Sequence, residues 1–198
     1  MVASNGGSRA AGVLVDDIAA MAAQLDRVRD LLREVRPILA ARRGELGPLL
    51  AALGLNVFDD PRPTLTEHAL AEFEATHSLR LPADYRAFLG EVGNGGPGPG
   101  YGMSELRAPF PQTTLDPRRL LPPDRVNTLV QIAGLGCGME WQLVVAGPDA
   151  GNVWFHDEDG FAPCDPRRGF LDWYEGWLTA TRRLGRVAPG APGPDDDA

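Results

Sequence analysis

LPADYRAFLGEVGNGGPGPGYG, residues 81–102, reads as one short amphipathic helix that empties into a glycine-rich loop. Pro82 suits the first helical position, where its missing N–H would be unpaired anyway, and Asp84 faces the positive end of the helix dipole. Tyr85, Phe88, Leu89 and Val92 follow at i, i+3, i+4 and i+7, an apolar stripe that requires a core. Gly93 and Asn94 can take the left-handed conformation that closes a helix. From Gly93 to Gly102 six of ten residues are glycine and two are proline, so the backbone turns sharply with little side-chain bulk.

A glycine-rich loop invites comparison with a phosphate cradle, and the order of elements argues against one. Phosphate loops lie between a strand and a helix N-terminus, where free N–H groups and the positive dipole end attract anions. This loop follows a helix C-terminus, so carbonyls point towards it, and no Gly-Lys-Ser or Gly-Lys-Thr follows.

Leu81-Pro82-Ala83-Asp84-Tyr85-Arg86-Ala87-Phe88-Leu89, then Gly93-Asn94-Gly95-Gly96 and Tyr101-Gly102, resemble the signature of the SUKH superfamily. That Smi/Knr-type superfamily groups fungal cell wall assembly regulators with bacterial immunity proteins. Three further blocks resemble it in the same order: Gly134-Leu135-Gly136-Cys137-Gly138; Leu143-Val144-Val145 with Gly147-Pro148 and Gly151-Asn152-Val153-Trp154; and Phe170-Leu171-Asp172-Trp173-Tyr174-Glu175-Gly176-Trp177-Leu178. The resemblance spans roughly residues 64–184, and four blocks in sequence are far more specific than one.

Composition bounds the function classes. A chain of 198 residues accommodates one domain with an appended segment. All nineteen basic residues are arginine, and the net charge of −8 disfavours sequence-independent binding to nucleic acid or anionic lipid. Cys137 and Cys164 are the two cysteines, far apart and in no metal-like spacing, which indicates neither a disulfide framework nor a zinc site. No signal peptide or membrane span is evident, so a cytoplasmic location is the expectation.

Along the chain, residues 1–12 read as disordered and 13–55 as an N-terminal helical extension. Leu14, Ile18, Met21, Leu25, Val28, Leu32, Val35 and Leu39 keep a seven-residue repeat, and Pro37 is expected to end or kink that helix near Arg36. The Leu14–Leu39 stripe suits either a coiled-coil dimer or a surface that packs on the domain behind it. Leu31 and Ile38 widen the seam beyond two positions per heptad, which favours packing. The linker 54–63 leads to a domain over 56–186 whose first helix is capped by Thr66, with Leu65 and Leu70 as a staple.

After the glycine loop, residues 101–106 read as a strand, and a proline-punctuated connection runs over 108–124. Val126 to Ala133 is β-rich, and Glu140–Ala146 and Asn152–Asp157 flank a hairpin turn at 147–151. Trp141, Leu143 and Val145 alternate, which predicts one buried face and one wetter face. His156-Asp157-Glu158-Asp159-Gly160 forms the next turn. Set in a calcium-loop frame it would place Phe155 and Pro166 at ligand positions, so it fails as such a loop. A catalytic cluster of His156, Asp157 and Asp159 with Cys137 lacks a motif to fix its geometry. Phe170, Trp173, Tyr174, Trp177 and Leu178 form the stripe of a closing helix, and residues 187–198 read as a disordered acidic tail.

The periodicities give an α+β fold with an antiparallel-dominated sheet, helices packed on one face, and the N-terminal helical extension. The resemblance implies the same fold and a non-catalytic protein-binding module, commonly an immunity protein that neutralises a toxin domain, often a nuclease. No cofactor, metal or catalytic residue is expected. An acidic chain complements a basic partner, so a basic toxin domain is the expected partner, with Asp84, Asn94, Tyr101 and Asp172 as partner-binding candidates. A scaffold or regulator that dimerises or recruits through the Leu14–Leu39 helix is the alternative.

Overall fold

A computed structural model describes residues 6–52, 60–112, 126–164 and 166–189. Most of the expected 54–63 linker, the bulk of the 108–124 connection and the tail from residue 190 lie outside the described residues. The element order is α1 (Gly6–Ala52), α2 (Glu67–His77), α3 (Ala83–Glu91), β1 (Phe110–Pro111), β2 (Thr128–Gly136), β3 (Met139–Ala146), β4 (Val153–Asp157), β5 (Gly160–Pro163) and α4 (Phe170–Leu184). The five strands form one antiparallel meander in chain order, so the fold is α+β.

Helix α4 is the central element. Its aromatic stripe is buried, and Leu171, Ala180 and Thr181 are buried as well, which spreads the covered arc around about half of the helix. On one side Trp173 meets Trp141 of the sheet, with ring centroids 5.6 Å apart, and Phe170 meets Tyr85 and Phe88 of α3 at 4.6 and 5.0 Å. On the other side lies α1. Leu25, Val28, Leu32, Val35 and Leu39 are all buried and belong to the same core as α4, with Leu31 buried beside them. The seam from Leu25 to Leu39 is therefore occupied within the chain.

Helix α1 also departs from the sequence reading in its length. It takes in residues 6–12 and continues through Pro37 and Pro48. Pro37 is exposed, and the burial of Val35 and Leu39 on either side holds the helical path although one backbone hydrogen bond is lost.

Four other expectations meet a different arrangement. The first positive-φ residues after α3 are Gly95 and Gly96, at φ 91° and 131°, and the helix closes on Val92 in a right-handed conformation. Residues 101–106 make only single-residue bridges, Met103 to Gly96 and to Ala133, because Gly100 and Gly102 at φ 58° and 96° break the extended path. The outer face of β3 is not wet: Gln142 and Val144 are fully buried, and Val144 clusters with Leu129 and Trp154, flanked by Phe110 and Phe161. The chain after α4 packs instead of trailing off. Ala188 is buried, its N–H donates to Thr181 Oγ1 at 3.1 Å, and its carbonyl accepts from Trp177 Nε1 at 3.0 Å.

Candidate functional site

The four residues singled out by sequence occupy different environments. Asp84 is largely buried. Its Oδ1 accepts from the Tyr85 N–H at 2.8 Å and its Oδ2 from the Leu171 N–H at 3.2 Å. Helix α4 begins at Gly169, which supplies no side-chain cap, so Asp84 caps α4 from α3. A Cβ at Gly169 would lie 3.1 Å from Asp84 Oδ2, which leaves glycine as the residue that admits the carboxylate. Burial raises the Asp84 pKa, and the backbone N–H groups of Leu171, Tyr85 and Phe170 partly counter that rise.

Asn94 accepts from the Leu106 N–H at 2.7 Å through Oδ1, and its own N–H donates to the Pro63 carbonyl at 3.2 Å. It ties both flanks of the glycine loop. Tyr101 is half-buried, donates its N–H to the Gly134 carbonyl at 2.9 Å, and lies so close over Gly136 that a Cβ there would sit 2.5 Å from the phenol oxygen. Gly136 at φ 92° thus serves both the hairpin turn and the Tyr101 ring. Asp172 is exposed and accepts from Gln24 Nε2 of α1 at 2.7 Å.

Asp84 and Asp172 share a cleft of about 680 Å³ between α1 and the domain, together with Gln24, Arg27 and Arg80. Asn94 and Tyr101 do not line it. Sequence reasoning missed Gln24, Arg27 and Arg80, because nothing local signals that an α1 polar flank meets α4. Arg27 donates to Glu175 at 2.8 Å, and Arg42 farther along α1 donates to the Gly100 carbonyl at 2.9 Å, fastening the helix to the glycine loop.

Within the catalytic cluster weighed from the sequence, no hydrogen bond joins Cys137 to His156 among the described residues. The His156 ring stacks on Phe161, with centroids 4.2 Å apart, while Cys137 sits exposed in the β2–β3 turn at φ 51°. Burial pushes the Cys164 thiol up to about 11, so it stays protonated near neutral pH. Among the described residues no group of three His, Cys, Asp or Glu side chains is placed to hold a metal, and no helix is long and apolar enough to cross a membrane.

The carboxylates divide by location. Around the helices many are matched by arginine: Arg27 with Glu175, Arg29 with Asp26 and Glu91, Arg33 with Asp30, Arg36 with Asp60, Arg86 with Glu67 and Glu74, and Arg182 with Glu34. At the β4–β5 end of the sheet, Asp157, Glu158 and Asp159 have no arginine partner among the described residues.

A helix-backed antiparallel meander, with signature polar residues spent on fastening one element to another, defines an α+β scaffold domain. The family model described as SMI1 / KNR4 family (SUKH-1) matches residues 64–167, just over half of the chain, and the chain belongs to that family. The match begins where the resemblance was expected to begin and ends before α4, so the block at 170–178 lies outside it, as does α1. No curated protein and no solved structure matches the chain.

Proposed function

We propose that this protein is a non-catalytic binding module of the immunity type, which binds a toxin domain stoichiometrically and blocks it in the cytoplasm of the producing cell. Membership of the SMI1 / KNR4 family supports a role of this kind. The carrying observation is the fate of the signature's polar groups. Asp84 spends one oxygen on the Tyr85 N–H of its own helix and the other on the Leu171 N–H of α4, and Asn94 spends its side-chain oxygen on the Leu106 N–H, so both specify the frame and the unpaired negative charge lies elsewhere. A net charge of −8 complements a basic surface of the sort a nuclease uses to hold its substrate, and speeds association with it.

The experiment is to read the genes that flank this one and co-express the protein with each candidate toxin domain they encode. Restored growth together with an equimolar complex on size-exclusion chromatography supports the proposal. Unrelieved toxicity with no complex overturns it.

The scaffold reading has one observation in its favour. Ile18, 56% exposed, continues the α1 stripe beyond the part that docks on the domain. Ile18→Asp tests it: a change from dimer to monomer in sedimentation would support dimerisation through α1, and an unchanged mass would remove it.

A further inference from the structure

The outer face of the sheet carries a polar network that is incomplete. Glu140 on β3 lies opposite His156 on β4, which lies opposite Phe161 on β5; two residues along, Gln142 lies opposite Trp154. The Glu140 carboxylate accepts from Gln131 Nε2 at 3.1 Å and from Gln142 Nε2 at 2.7 Å, and pairs with no arginine among the described residues. Arg107 reaches the network only at Gln131 Oε1, at 3.0 Å. It is a fixed negative charge held by neutral amides.

Beside it, Gln142, Trp154 and His156 Nδ1 each keep a buried polar atom without a partner, and the first two are complementary as acceptor and donor. Gln142 is fully buried and its Oε1 has no donor; Trp154 is 8% exposed and its Nε1 has no acceptor. Unmade hydrogen bonds at buried polar atoms are costly, so a state that pairs the Gln142 oxygen with the Trp154 indole would gain stability. The Gln142 amide keeps its orientation by donating to Glu140.

The same end of the sheet gathers features of a docking surface. The β2–β3 and β4–β5 turns both emerge there. Met139 is exposed, the stacked His156 and Phe161 rings lie beside Glu140, and Asp157, Glu158 and Asp159 form the adjacent turn with no cation to match them. An apolar anchor, an aromatic face and unneutralised carboxylates suit one kind of occupant, a protruding arginine of a basic protein.

We propose that this sheet end, Met139 and Glu140 with the 157–159 turn, docks a basic protein partner, and that a partner arginine pairs with Glu140 and releases the Gln142 amide to accept from the Trp154 indole N–H. The inference rests on the protein-binding reading above and adds the surface and the anchoring side chain. A guanidinium carries five donors in a rigid fork, so it takes over the carboxylate contacts that Gln131 and Gln142 make in the free protein.

The test is titration of the full ¹⁵N-labelled chain with a tetra-arginine peptide, followed by NMR. Shifts are expected at Glu140, His156 and residues 157–159, with a downfield move of the Trp154 indole N–H, assigned by its loss in Trp154→Phe. Glu140→Gln should weaken binding by about tenfold and abolish the indole shift, while Glu158→Lys/Asp159→Lys should weaken binding with the indole shift retained at saturation. Asp16, Asp17 and Glu72, exposed acids on α1 and α2, serve as internal comparison. Perturbation of those residues as large as that at the sheet end, or an unmoved Trp154 indole at saturation, would overturn the inference. The titration needs no toxin, so it can fail while growth protection succeeds, or succeed while protection fails.

Discussion

The helical side of this protein and the outer end of its sheet use the same residue types for opposite ends. On the helical side, the apolar seam from Leu25 to Leu39 is covered within the chain and many of the carboxylates face arginines a few ångströms away, with Asp16, Asp17 and Glu72 as exposed exceptions. At the sheet end, Glu140, Asp157, Glu158 and Asp159 have no arginine partner among the described residues, and Gln142 and Trp154 keep unmade hydrogen bonds. Charge marks a surface for binding only where the chain itself has not already answered it.

The largest expected effect falls on the helical side. Val35 is fully buried at the α1 and α4 contact, and Val35→Asp places an unpaired charge there. Thermal denaturation should show a loss of about 4 kcal/mol or more, enough to unfold much of the population. A small loss would mean that α1 is an appendage and would erase half of the contrast.

Gly136→Ala comes next, at about 1–3 kcal/mol, because alanine is strained at φ 92° and its Cβ would meet the Tyr101 phenol. Asp84→Ala should cost about 1–2 kcal/mol by leaving the Leu171 N–H without its cap. Asp84→Asn sharpens that result through pH. The folded pKa of Asp84 lies above its unfolded value, so the native state binds the extra proton. The wild type should therefore gain stability relative to Asp84→Asn as pH falls through the folded pKa towards the unfolded one, and lose that gain as pH rises again. A gap that widens with rising pH instead would assign Asp84 to an ion pair.

At the small end, Arg182→Ala removes a half-exposed pair with Glu34 and should cost less than about 1 kcal/mol, still less in high salt. A larger loss would show that the ion pairs, and not the apolar seam, hold α1 in place.

Much of the fold was legible in the sequence. The Thr66 cap, the α3 and α4 stripes, the β3–β4 hairpin and the preference for packing α1 on the domain all rest on local periodicity or turn chemistry, which are strong signals. Helix α1 passing through Pro37 was not legible, because burial on both sides of the proline overrides its local tendency. The two-residue β1 and four-residue β5 are too short to show alternation.

The site was harder to read. Asp84 has the look of an exposed first-turn acid, and its role depends on Leu171, 87 residues later. Asp172 resembles Asp84 in sequence, both opening a helix, yet it remains exposed at the α1 junction. Burial of Gln142 on the supposedly wet face of β3 carries no trace in the strand's own pattern.

Two charge-reversed proteins, tested against the cognate toxin domain by calorimetric titration, bear most directly on the division between the two sides. Glu158→Lys/Asp159→Lys and Asp30→Lys/Glu67→Lys change the net charge equally, so long-range attraction falls by the same amount in both. The account predicts at least about a hundredfold loss of affinity for the first and no more than about threefold for the second. Equal losses, or a greater loss on the helical side, would contradict it.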